Sequence, residues 1–377
     1  MTRITRRRHA PLLGLAAALV ATAACSGTAQ TAAPSSTAAS TTTASTTTST
    51  IARTTTSSTA APTTTVAAST TVAPTTTVAP APTFPFTGQP IDDQARYNRP
   101  ALAIKINNAA SARPQHGLNQ ADIVFEEEVE GITRFLAVFQ STDAPQIGSV
   151  RSARTSDLDM LSSLSHPLFV WSGGNRYVEG AVAEADLTDI GKDHHREVLW
   201  TGRVLRDYTE FFTSTERAYA LTPEGQGAPK AIFAYRTPGE PVDASGQDIA
   251  GVSLQLQGTH VEYRWNGDVQ GWLRFEDGTP HKDSDGVQVA PANVVVVLTN
   301  YRASPADPKS PEAVTVGKGD VWVLSEGKLI AGTWSRADAK SGWELVDSAG
   351  KPIRLLPGRT WVELATPEGA ERIEVGQ

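Results

Sequence analysis

The chain has 377 residues, one cysteine and a formal net charge of -7, with 40% hydrophobic and 19% charged residues. Every Asp and Glu lies after residue 90, and of the basic residues only Arg3, Arg6, Arg7, Arg8 and Arg53 precede residue 84, so residues 84–377 carry 28 basic and 40 acidic side chains, a net of -12. That excess repels phosphate backbones and argues against nucleic acid as a main partner, and a lone cysteine excludes intramolecular disulfides, Cys-rich zinc sites and CxxC redox chemistry.

Residues 1–24 read as an export signal: a basic start (Arg3, Arg6, Arg7, Arg8), an apolar run from Pro11 to Ala21, then small residues. The run is much shorter than the roughly 20 residues that cross a bilayer, so cleavage is expected over a permanent span. Thr22-Ala23-Ala24-Cys25 resembles the lipobox of bacterial lipoproteins, with Thr22 where Leu is usual. Lipidation of Cys25 is therefore expected, with anchoring to the outer face of the cytoplasmic membrane. The alternative is an ordinary secretory signal with an incidental Cys. Residues 26–83 are almost entirely Thr, Ala, Ser, Pro and Val. Burial there cannot offset a backbone entropy of roughly 1 to 2 kcal/mol per residue, so a disordered tether of about 40 to 45 Å is expected. Its composition also suits O-glycosylation.

The body begins near Phe84, and an α/β (α+β) fold is expected: a mixed-sheet layered part over 84–230 and a β-rich part over 231–377. In the first part, Ala101–Ile106 is strand-like, and Asp122–Val129 and Ile132–Gln140 form a hairpin through Glu130-Gly131. A helix is expected over Ser156–Leu164, capped by Ser156 or Asp157. A short buried strand follows at Leu168–Trp171, and a second helix over Tyr177–Ala185. In the second part, strands are expected at Val252–Leu256, Val261–Trp265, Trp272–Phe275, Val294–Thr299, Asp320–Leu324, Lys328–Thr333, Trp343–Val346 and Arg359–Leu364. Asp277-Gly278 and Glu326-Gly327 are among the turns between them. Six of the eight tryptophans fall in this part. Core packing is expected of most, against a sugar-stacking role.

Several segments together resemble the YerB-like family of bacterial lipoproteins. They include Arg99-Pro100-Ala101-Leu102-Ala103-Ile104, Ala112-Arg113-Pro114-Gln115-His116-Gly117-Leu118, Val129 to Phe139, Ile147 to Arg154, Pro280-His281-Lys282-Asp283 and Leu356 to Trp361. The resemblance covers nearly all of the body. It implies a two-part α/β architecture and a lipid anchor, in agreement with Cys25, and implies no reaction. Where the family has a Pro-His-Asn segment, this chain has Tyr208-Thr209-Glu210.

The densest charged group is Glu126, Glu127, Glu128, Glu130, Arg134, Arg151 and Arg154. Strand alternation places Glu126, Glu128 and Glu130 on one face. Arg134, Arg151 and Arg154 are then the expected counter-charges. The group reads as a structural ion-pair network or as a polar cleft for a carboxylate- or amide-bearing wall fragment. A hydrolase would use two of Asp122, Glu126, Glu128 and Glu130. Ser172-Gly173-Gly174-Asn175, between strand and helix, can present N–H groups to an anion but lacks phosphate-loop spacing. His116 is expected to be structural, His194 and His195 diverge, and the calcium-loop pattern near Asp283 is incomplete. No metal site and no cofactor are expected. The overall expectation is an envelope lipoprotein that binds wall glycan, peptide or an envelope protein, with a carbohydrate-active hydrolase or a structural spacer as alternatives.

Overall fold

A computed structural model describes residues 81–204, 209–237, 239–243 and 245–376. The expectations for the export signal, Cys25 and the tether up to residue 80 lie outside the described residues. Where description begins, Thr83 bridges Pro90, and Phe84 and Phe86 are already buried.

The first strands are β1 (Leu102–Asn107), β2 (Ile123–Glu128), β3 (Thr133–Phe139) and β4 (Ile147–Val150). β2 and β3 form the expected hairpin, with Gly131 at φ +79 in its turn. Helix α1 (Thr155–Ser162), strand β5 (Leu168–Val170) and helix α2 (Arg176–Glu184) follow. α1 starts one residue earlier than expected, because Arg154 holds the N-cap position. Asp157 lies inside the helix and accepts the Arg154 N–H at 2.7 Å. Strands β6 (Trp200–Val204) and β7 (Thr209–Thr213) were not expected; most of β6 is exposed, and it lacks an apolar alternation.

Besides short strands of two or three residues, the chain continues with β8 (Gly251–Leu256), β9 (Thr259–Asn266), β10 (Gly271–Glu276), β11 (Asn293–Leu298), β12 (Gly317–Ser325), β13 (Lys328–Arg336), β14 (Glu344–Asp347), β15 (Thr360–Ala365) and β16 (Ala370–Ile373). All but β16 lie where the sequence pattern puts strands. Asp277-Gly278 and Glu326-Gly327 each hold two consecutive positive φ values, the geometry that closes a two-residue hairpin.

Strands from both parts of the chain share one large sheet, in the order β14-β13-β12-β11-β15-β2-β3-β1-β4-β7-β6, with β5 also on β1. β15 lies parallel to both neighbours, β2 and β11. β8, β9, β10 and β16 form a smaller antiparallel sheet with Thr279–Pro280. β1, β2, β3, β11 and β15 are buried along their whole length, because both faces of the large sheet are covered. Their sequences accordingly run apolar without alternation, as in Val294-Val295-Val296-Val297.

On one face, Ile104, Val124, Phe135, Val296 and Trp361 pack with Val252, Leu254, Tyr263 and Trp272 of the small sheet. On the other, Phe125, Leu136, Val138 and Val295 pack with Met160 and Leu161 of α1, Val178 and Val182 of α2, and Phe233 and Trp343. Each fully buried side chain of this size contributes roughly 1.5–3 kcal/mol. Trp272, Trp334 and Trp361 are fully buried and Trp343 nearly so, which places these tryptophans in the core.

Candidate functional site

Successive glutamates of β2 point to opposite faces of the sheet and meet different cations. Glu126 faces the small sheet. Its Oε2 accepts from Arg274 Nη2 at 2.6 Å and its Oε1 from Thr133 Oγ1 at 2.6 Å. Arg274 also donates to Glu276 Oε2 at 2.9 Å and to His281 Nδ1. Its guanidinium lies 4.8 Å from the Trp361 ring centroid and 5.4 Å from that of Phe135. Glu276 is further held by Asn108 Nδ2 at 2.7 Å and by Arg113. His281 bonds Gln115 through Nε2, and Tyr263 donates to Glu363 at 2.5 Å. Burial alone would lower the Arg274 pKa, but Glu126 and Glu276 outweigh it and hold it well above the usual range. Burial, together with the Glu126 charge, pushes Glu363 well above the carboxylate range. Burial, with the charges of Arg274 and Arg113, keeps His281 neutral.

Glu127 faces the helices. Lys105 Nζ joins it to Asp157, 2.7 Å away, and all three side chains are fully buried. Burial first, then the Asp157 charge, raises Glu127 to about 7 against the pull of Lys105. Asp157 also holds the Arg154 N–H, so this triad is tied to the start of α1. Glu128 is buried, with Gln257 bonding its carboxylate and Tyr301 Oη bonding its backbone N–H.

Glu130 departs from the expected shared face. β2 ends at Glu128 and the chain reverses at Gly131, so Glu130 swings to Arg154, which grips it with Nε and Nη2, each at 2.7 Å. Burial alone would raise the Glu130 pKa, but the Arg154 and Ser310 contacts bring it down to about 2. Arg134 pairs in register with Glu127 across the hairpin, donates to the Ser152 carbonyl at 2.9 Å and approaches Glu130 to 4.0 Å. Burial and the nearby Arg154 and Arg151 charges lower it to about 10. The counter-charge to Glu126 is thus Arg274, not Arg134. Arg151 ties its backbone N–H to Lys105 and its carbonyl to Ser172. Asn175 caps α2, accepting from Tyr177 N and Val178 N, and its Nδ2 donates to Ala306 O.

Glu130, Arg154, Asn175, Ser152, Gly174 and Ser310 surround an open depression of about 240 Å³, with Arg134 behind its wall. Glu126 and Glu128 are not part of it. Asp122 is buried and accepts from Gln140 N, Ser141 N and Ser141 Oγ, which fixes the end of the hairpin. Asp122, Glu126 and Glu128 therefore present no carboxylate to a bulky glycan. His116 exchanges backbone hydrogen bonds with Gly148, while His194 turns to Asp189 and His195 to Glu197. Among the described residues no group of His, Cys, Asp and Glu is arranged to hold a metal ion.

The sequence reading missed Lys105, Asp157, Arg274 and Glu363. A lysine inside the apolar run Leu102-Ala103-Ile104-Lys105-Ile106 was the available signal, since Lys is fully buried only when paired.

Fold and site define an α+β protein whose densest charges are locked inside the sheet layers, with one open polar depression beside them. The chain belongs to the family of the two matching models, "Protein of unknown function (DUF3048)", with the N-terminal domain over residues 86–227 and the C-terminal domain over residues 252–362. It is 27% identical over 308 residues to "Putative lipoprotein YerB" of Bacillus subtilis (strain 168), covering 78% of this chain and 89% of that protein. Its fold is that of the crystal structure of Bacillus subtilis YerB protein, with a TM-score of 0.68 at 23% identity, covering 78% of this chain and 99% of the other.

Proposed function

We propose that the protein is an exported lipoprotein, held by Cys25 to the outer face of the cytoplasmic membrane, whose body binds cell-wall material or a wall enzyme without turning it over. The lipobox-like Thr22-Ala23-Ala24-Cys25 and the similarity to a protein named as a lipoprotein support the anchor. One observation carries the binding reading. Of the four carboxylates a hydrolase would draw on, Asp122, Glu126 and Glu128 are buried and partnered, and only Glu130, gripped by Arg154, lines an open depression with Arg154 and Asn175.

The test is calorimetry of the purified protein with soluble muropeptides released from wall by muramidase, alongside an assay for wall hydrolysis. Binding without turnover, weakened at least tenfold by Arg154→Ala, is the expected result. Turnover that Glu126→Gln abolishes would replace this reading with the hydrolase, and failure to bind would leave a spacer. For the anchor, acyl labelling of the wild type that disappears in Cys25→Ser is expected.

A further inference from the structure

Between the two sheets, more acid than base is buried, and the surplus falls on two carboxyl groups that face each other across a seam of the large sheet. Glu126 on β2 and Glu363 on β15 are register partners on parallel strands, and both are fully buried. Such partners point their side chains to the same face, about 5 Å apart. Among the described residues, the cations that meet this group are Arg274 and Arg113, and Glu276 is a third carboxylate. His281 is held neutral and adds no charge. Burial and the Glu363 charge keep the Tyr263 hydroxyl protonated. Tyr301, near Glu363, is kept protonated by burial as well, and Glu128, the next residue on the face of Glu126, is raised by burial and bonded by Gln257. Two cations against three carboxylates leave one negative charge without a counter-charge, and a buried charge of that kind is neutralised by taking up a proton.

The hydrogen bonds show where that proton sits. Glu126 accepts from Arg274 on Oε2 and from Thr133 on Oε1. Glu276 accepts from Arg274 on Oε2 and from Asn108 and Arg113 on Oε1. Glu363 accepts from Tyr263 on Oε1, while its Oε2 meets no donor among the described residues. Glu363 Oε2 is thus the one oxygen of the three carboxyl groups left to carry a hydrogen of its own, and the acceptor beside it is Glu126. A bond from a neutral acid to a carboxylate is charge-assisted and roughly twice as strong as one between neutral groups.

We propose that Glu126 and Glu363 share one proton and that this proton latches β15 to β2, so that the seam loosens when a base in solution removes it. The latch is independent of the depression and of any ligand there. Strands from the two parts of the chain meet along this seam, and without the proton two adjacent carboxylates repel each other across it. The folded state keeps a proton that an unfolded chain gives up near 4.5, so the stability the latch contributes is fully present below 4.5 and is lost as pH rises through the higher folded-state value.

The proton is read from the infrared band of a protonated carboxyl group. At about pH 8, above the value near 7 at which Glu127 ionises, the wild type is expected to show a buried acid band that Glu363→Gln removes. Gln keeps the geometry, with its amide N–H donating to Glu126 and its oxygen accepting from Tyr263. Glu126→Gln is expected to remove the band too, because two carboxylates then balance two arginines and Glu363 ionises. Amide exchange along β2 and β15, taken relative to the β8–β9 hairpin, is expected to speed up at least tenfold in the wild type between about pH 7 and pH 10, and not in Glu363→Gln. No acid band in the wild type at about pH 8 overturns the proposal without any variant having to fold. A band that survives in Glu126→Gln overturns the shared proton, and exchange that rises equally in the wild type and Glu363→Gln overturns the latch.

Discussion

Glu126 and Glu127 are consecutive on β2, equally buried, and solve the same problem differently. Glu126 enters a network in which Arg274 and Arg113 meet Glu126 and Glu276, aromatic rings flank Arg274, and Glu363 sits beside it with its pKa raised well above the carboxylate range. Glu127 enters a triad in which Lys105 serves two carboxylates. The first joins the two sheets and sets two arginines against three carboxylates, of which Glu363 is pushed well above the carboxylate range. The second sets one lysine against two carboxylates, and Glu127 is raised to about 7. Burial raises the cost of a charge on either face, and the supply of cations decides whether a proton is needed as well.

The largest expected effect is that of Arg274→Met. It strands Glu126 and Glu276 inside the core, and removing one partner of a buried pair costs roughly 3–5 kcal/mol. Urea unfolding should show a loss of that size, and a loss below about 1 kcal/mol would mean that the inner network is not the stronger of the two. Next is the pH dependence of the triad. The folded-state pKa of Glu127 is raised from 4.5 to about 7, so the folded form holds the extra proton. The stability it contributes is fully present below about 4.5 and is lost as pH rises through 7. Glu127→Gln, which mimics the protonated acid, should flatten the fall in urea midpoint between pH 5 and pH 8. An unchanged slope would locate the titration elsewhere. Asn175→Ala removes the cap of α2 and should cost about 1 kcal/mol, seen as a lower thermal midpoint. The smallest effect belongs to Glu130→Gln. Glu130 is more than a third exposed, so its pair with Arg154 contributes less than about 1 kcal/mol to stability. A large loss of stability there would erase the contrast between surface and buried pairs.

The strands were legible because covered strands read as apolar runs and their turns carry Gly after Asp or Glu. The edge strand β6 was not, since most of its residues are exposed and no apolar alternation marks it. In the site, Glu130, Arg134, Arg154 and Asn175 were readable as polar residues in short segments, and they do meet. The partners of Glu126 and Glu127 were not readable. Arg274 reaches Glu126 across 148 residues, and local alternation says nothing about which distant strand will lie above a given face. Alternation also misplaced Glu130, because it holds only while the strand lasts and β2 stops two residues earlier.

The position of β15 bears on how the molecule is made. Ile123 to Glu126 pair in parallel with Thr360 to Glu363, a partner that lies roughly 240 residues downstream. In a chain made from its N-terminus, the first hairpin forms with one flank open, and that flank stays open until β15 arrives. Closing parallel pairs over such distances is slow, because the loop entropy must be overcome before the contacts form. A copy cut short before Thr360 would keep β2 as a bare edge with Ile123, Val124 and Phe125 uncovered on that flank, which favours aggregation. The large sheet therefore closes around β2 only when the strand from Thr360 to Ala365 is in place.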